Sequence, residues 1–244
     1  MRTMTARELR AAFGSMLGWG YIALLLLFGA LAACIGCVLN LSGNYAQWIS
    51  YIALSLIVGV PLLTCDAFAL ERRTGARRLL LSLPMGLMRV TLGKYFAFVV
   101  IHLVACLLMC LYPLALALFG TVPLLGSLCA IGQLFFLGMM LIALGLLVSA
   151  LGFGRLVSAL ITFAVCVGLY YLPWFAALLE NSALPALSEW LLYVAPFARL
   201  AYASGCVVDL TSMFYNLTMS ALLAAIAALI AAHGRGALGK GAAR

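Results

Sequence analysis

Charge is what this sequence has least of. Only 8% of its 244 residues are Asp, Glu, Lys or Arg, where a soluble domain carries about 25%. With 67% of residues apolar, the chain cannot build a surface compatible with water, and a soluble globular domain is excluded. Acids are scarcer than bases, six against fourteen, and the two histidines, His102 and His233, form no His-Glu-x-x-His pattern. An intramembrane protease or lipid-modifying transferase needs convergent carboxylates, histidines or a nucleophile beside its base. The isolated acids here supply none of these. The nearest approach to a phosphate-binding loop, "GRGALGKG" at 234–241, lacks the Ser or Thr that would hold Mg²⁺ and has no strand before it. It reads as part of a flexible basic tail, 233–244. The chain is therefore expected to be no enzyme on its own and to carry no cofactor or metal, and no nucleic-acid partner is expected.

What is abundant is apolar sequence in long runs. Crossing the hydrocarbon takes about twenty mostly apolar residues in a helix, and six stretches qualify: 19–39, 48–66, 95–119, 125–151, 157–178 and 212–232. Runs of this length favour helices over a barrel, whose strands show only weak alternation. The first run is longer than the apolar core of a signal peptide and no small-residue cleavage site follows it, so it is taken as a span. A seventh apolar piece, 190–208, is interrupted by Pro196, Arg199 and Gly205. It reads either as a re-entrant or interfacial element or as a short broken helix pair.

The scarce cations are not scattered. Thirteen of the fourteen Lys and Arg fall before the first span, in the second-to-third connection, in the fourth-to-fifth connection, or after the sixth span. The other connections hold Arg199 alone. Short positively charged connections stay in the cytoplasm, so both termini are expected there, an inner (plasma) membrane location is implied, and the crossings must be even in number. The 179–211 loop then faces outward.

Four arginines, Arg72, Arg73, Arg77 and Arg78, crowd the second-to-third connection, 67–94, which reads "ALERRTGARRLLLSLPMGLMRVTLGK" from Ala69 onward. A topology signal alone, or binding of anionic lipid heads, would account for the charge. The rest of the stretch has shape as well. Gly75 offers a helix break, Leu79, Leu80 and Leu81 make a short amphipathic turn, and Pro84 ends it because it cannot donate the helical hydrogen bond. The result is a kinked, charged helical knob, suited to docking on another protein.

In these residues the chain resembles a type-2 ABC transporter permease, in the branch that includes the gliding-motility permease subunits and related small six-span exporters. The resemblance rests on Glu71-Arg72-Arg73-Thr74-Gly75, then Leu79-Leu80-Leu81, Pro84 and Leu92-Gly93-Lys94. Three other pieces add to it in order: "RELRAAFGSMLGWGYI" near the start, "LYPLALALFG" at 111–120, and Pro196, Phe197, Gly205, Asp209, Leu210 and Tyr215 before and within the last span. Family members often carry a second acid before the Glu, and here Leu70 stands there. The resemblance implies an all-α membrane fold of six transmembrane helices, with residues 1–18 as an amphipathic helix on the cytoplasmic membrane surface. It implies a coupling role for Glu71, Arg72, Arg73, Thr74, Gly75, Pro84, Gly93 and Lys94, resting on a separate ATPase subunit that binds the ATP. It also implies a second permease copy or a related permease, with membrane lipids around the assembly, and transport as the activity. A membrane scaffold or sensor that keeps the fold and its partner but moves no solute remains the alternative.

Polar groups at membrane depth are few and are functional candidates by default. His102 and Gln133 each read as a hydrogen-bonded packing residue or as a substrate contact. Asp66, at the end of the second span, is placed to pair with the adjacent arginines. The cysteines sit in or beside apolar runs, apart from Cys206, and read as small packing residues. Gly145-x-x-x-Ser149 and the Ala224, Ala228, Ala232 series allow close helix contact, within one subunit or between two.

Overall fold

The structure, a computed structural model, describes residues 9–11, 13–14, 16–40, 44–68, 87–180, 185–200 and 209–241. Among them there is no strand. Six helical stretches are long and apolar enough to cross a membrane: Met16–Leu39, Ile49–Phe68, Val90–Ala117, Leu124–Ala150, Arg155–Leu179 and Leu210–Ala231. The chain is thus a multi-pass helical membrane protein. Each span coincides within a few residues with an apolar run of the sequence, except that the third begins earlier, through Gly93 and Lys94.

The second and fourth spans form the centre. Of the most apolar stretch of each, 72% and 67% is buried, against 17% for the fifth and 28% for the sixth. The fourth span touches the second, third, fifth and sixth, the last most extensively, and the first span packs on the second and third. The sixth span turns a stripe of small and polar residues inward: Ser212, Asn216, Ser220, Ala224 and Ala228 are buried at every fourth position, while Phe214, Leu222 and Leu229 lie exposed. Lipid tails are as apolar as leucine, so close packing rather than hydrophobicity selects that face. Four buried hydroxyls are satisfied inside their own helices. Ser55 donates to Ile52 O, Thr64 to Val60 O, Thr162 to Ser158 O and Ser220 to Leu217 O.

Three prolines perturb the spans. Each withdraws the donor that the carbonyl four residues earlier would accept. Pro61 does so inside the second span and Pro173 inside the fifth. In the third, Pro113 leaves Met109 O without its partner, and the helix Leu87–Met109 is interrupted at Cys110 before Leu111–Ala117 continues. The first span ends in a π-helical stretch, Ala32–Leu39, closed by Asn40, whose side-chain amide donates to Ile35 O at 3.0 Å.

Outside the spans, Leu9 and Phe13 are four residues apart and pack against the core, while Arg10 and Ala11 are exposed. Trp19 pins this segment by donating Nε1–H to Phe13 O at 2.8 Å. The 179–211 loop contains a broken helix pair, Pro185–Val194 and Pro196–Leu200, each opened by a proline whose missing N–H costs nothing at a helix start. The longer of the two packs against the fifth span. Past the sixth span the helix continues to Gly241, through most of the segment read as a flexible tail.

Candidate functional site

Six of the eight residues expected to couple to an ATPase, Glu71, Arg72, Arg73, Thr74, Gly75 and Pro84, lie outside the described residues. Gly93 and Lys94 lie within them, in the first turns of the third span, and both are buried. What the structure does show is the root of the connection, the last turn of the second span at 64–68. Three other spans grip that turn.

From the third span, the Lys94 ammonium donates to the Ala67 carbonyl and sits 5.1 Å from the centroid of the Phe68 ring. Lys94 is only 4% exposed, and its head group is met by a carbonyl and a ring face. From the fourth span, Gly145 receives Thr64. A Cβ at Gly145 would lie 3.0 Å from Thr64 Cβ and Cγ2 and closer still to Oγ1. The Gly145-x-x-x-Ser149 pattern therefore serves packing inside the subunit, as do Ala224 and Ala228; the Ala232 side chain lies outside the described residues. From the fifth span, Arg155 Nε meets Asp66 Oδ1 at 3.0 Å. Among the described residues this is the ion pair of Asp66; the neighbouring arginines, Arg72 and Arg73, lie outside them. The carboxylate reaches the fifth span, which begins at Arg155 immediately after the turn through Gly152, where φ is 107°.

The second polar site lies about 18 Å along the third span from its start, at 1.5 Å per residue. His102 is fully buried. Its Nδ1 lies 2.7 Å from Tyr21 Oη, and its ring stacks on Phe135 at 5.6 Å with 9° between planes. Cys106 Sγ lies 3.7 Å from Nε2. The ring occupies the space that a side chain at Gly138 would fill: a Cβ there would be 2.7 Å from Cδ2 and closer to Nε2. Nδ1 and the Tyr21 hydroxyl share one hydrogen bond between the third and first spans, its donor set by the tautomer of the ring. Tyr21 in turn lies on Gly59, whose Cβ would be 2.9 Å from the ring. Three spans meet at this histidine, and the second joins them through Tyr21. Gln133 is also buried but projects about 140° around the fourth span from Gly138, so the two intramembrane candidates do not form one site by facing each other.

At the opposite end of the bundle, Arg199 lies between two rings, its guanidinium carbon 4.0 Å from the Tyr215 centroid and 5.0 Å from that of Tyr193. It donates to Tyr193 O at 2.8 Å, and Tyr215 Oη donates to Val194 O at 2.9 Å. The single cation of that side is thus spent on holding the broken helix pair to the last span. Asp209 begins that span. It accepts from the Thr211 backbone at 3.1 Å and from the Ser212 hydroxyl, and chiefly the latter holds its carboxyl below the usual range. Sequence reasoning did not single out Arg199 and Asp209 as structural partners. The Asp-x-x-Ser spacing before an apolar run was the available signal for the cap.

No cysteine among the described residues is bonded to another. Cys37, Cys65, Cys106 and Cys166 are buried in keeping with packing, whereas Cys34 is exposed. Cys206 lies outside the described residues. No group of three or more His, Cys, Asp or Glu among the described residues could hold a metal ion. Neither a protein-family model nor a curated protein matches the chain.

Proposed function

We propose that this chain is the membrane-spanning subunit of an ATP-driven exporter of the type-2 ABC class. It holds no motor of its own. A separate ATPase subunit binds and hydrolyses ATP against the 67–94 connection, and a second copy of this chain or a related permease completes the pathway through the membrane. Glu71, Arg72, Arg73, Thr74, Gly75 and Pro84 form the docking knob, and Gly93 and Lys94 fix its return to the bundle. The assembly resides in the plasma (inner) membrane with both termini in the cytoplasm, an orientation supported by the distribution of Lys and Arg.

The observation that carries this reading is the root of the connection. A loop that served only to mark topology needs positive charge near a helix end and nothing more. Here the residues on either side of it, Asp66, Ala67 and Phe68 before and Lys94 after, are tied to one another and to the fifth span. A push on the knob therefore moves the two ends of the connection together and reaches the fifth span as well. A strongly apolar interior with few charges favours an amphipathic or lipid-like cargo over a highly charged one.

The test is purification of the chain from its native membrane in mild detergent, followed by assay of ATP hydrolysis. A stoichiometric ATPase subunit with vanadate-sensitive activity is expected. Glu71→Arg or Gly75→Leu should reduce its recovery or its coupled transport at least tenfold while insertion of the chain stays normal. Recovery of the chain with no nucleotide-hydrolysing companion would overturn the proposal.

A further inference from the structure

The ladder of the second span is broken once near its end. Pro61 withdraws the donor for Ile57 O, while Cys65 keeps helical backbone angles, φ −58° and ψ −35°, and its N–H reaches Pro61 O at 3.0 Å. The proline is the point at which the 64–68 turn can tilt as a unit against the rest of the span. Of its three attachments, two are fitted into the interior: Lys94 is buried, and Thr64 is seated in the hollow at Gly145. The third is different. Asp66 and Arg155 are 25% and 47% exposed, in reach of water, and the pair joins the turn to the least buried span of the molecule. At that end of the fifth span, Leu156 and Val157 are exposed and Ser158 is the first buried residue. Few packed side chains hold this end in place, so the ion pair bears a large share of its position.

We propose that Asp66 and Arg155 are positioning residues that make the fifth span follow the 64–68 turn, with Pro61 as the flexure. This rests on the reading of the 67–94 connection as the contact with an ATPase and deepens it, since it names the route by which displacement of that connection reaches a span it does not adjoin in sequence. The groups facing the pair set its direction. The carboxylate on the second span attracts the guanidinium on the fifth, and either charge reversed alone repels or strands its partner.

The experiment is hydrogen–deuterium exchange with peptide-level mass spectrometry on the whole assembly, permease with its co-purified ATPase in lipid nanodiscs, with and without ATP plus vanadate. In the wild-type assembly, trapping should change exchange at least twofold in peptides covering 62–68 and in peptides covering 151–158. Asp66→Arg or Arg155→Asp alone should keep the first response and lose the second. The double exchange Asp66→Arg/Arg155→Asp should restore both, which a residue needed only for folding would not do. Should a reversal fail to insert, Asp66→Asn and Arg155→Gln break the pair without repulsion and should show the same split. The inference is overturned if 151–158 responds equally in every variant, or if it never responds in the wild type although 62–68 does. Absence of any co-purified ATPase is a separate outcome, and it removes the proposed function together with this inference.

Discussion

Gly138→Ala tests the His102 cluster without any assumption about function. Alanine is the better helix former by about 1 kcal/mol, so on an open helix face the change would stabilise. Here the new Cβ enters the His102 ring, 2.7 Å from Cδ2 and closer to Nε2. The ring cannot give way easily, because Phe135 is stacked on it and Tyr21 is bonded to it. Overpacking of this kind costs about 1–3 kcal/mol. Displacing the ring also loses a hydrogen bond between spans, worth about 0.6 kcal/mol on average in a membrane. The net expectation is a loss of about 0.6–2.6 kcal/mol. Pairing it with His102→Ala removes the object of the clash, so the coupling between the two changes should reach about 1.6–3.6 kcal/mol. Unfolding by added SDS in mixed micelles, followed through the four tryptophans, reads both quantities. If Gly138→Ala matched or exceeded the wild type, or if the coupling were below about 0.5 kcal/mol, the cluster as described would be wrong.

Two further outcomes follow from the same packing. Lys94→Met keeps the length of the side chain but leaves the Ala67 carbonyl without its donor, and a loss of about 1–3 kcal/mol is expected in the same assay; a variant as stable as the parent would show that the lysine does not tie the loop ends. Asp209 has a folded pKa below its ordinary 3.8, first because of the Ser212 hydroxyl. Its contribution is therefore fully present above the ordinary value and is lost as pH falls through the folded one. Replacing the cap by alanine should cost about 0.5–2 kcal/mol near neutrality, and the gap between parent and Asp209→Ala should close in strong acid. A gap unchanged with pH would contradict the cap.

Most of the architecture could be read from the sequence because its cause is local. A span needs an unbroken apolar run, and the run is visible residue by residue. The broken pair inside 179–211 was legible only in part: Pro196 marked the break, but the 190–208 piece read equally as a re-entrant element, and the helix start at Pro185 was not marked. Pairings were far less legible. Among the described residues the partner of Asp66 is Arg155, on another span and 89 residues along the chain. His102 could be singled out as a polar group in a lipid-like run, but not its partners: Tyr21 is 81 residues distant, and nothing in the text marks Gly138 as the glycine that receives the ring rather than Gly132 or Gly145.

By itself, then, the order of residues determined that this is a six-crossing helical membrane protein and where each crossing lies, because in hydrocarbon every backbone group must find its partner within its own helix. Only the tertiary structure decided which helices are central, which glycine opens onto which side chain, and that the root of the arginine-rich connection is clasped by the third, fourth and fifth spans. Those outcomes depend on the angle at which each side chain leaves its helix and on the neighbour it meets, and that neighbour is brought up by folding, from far along the chain.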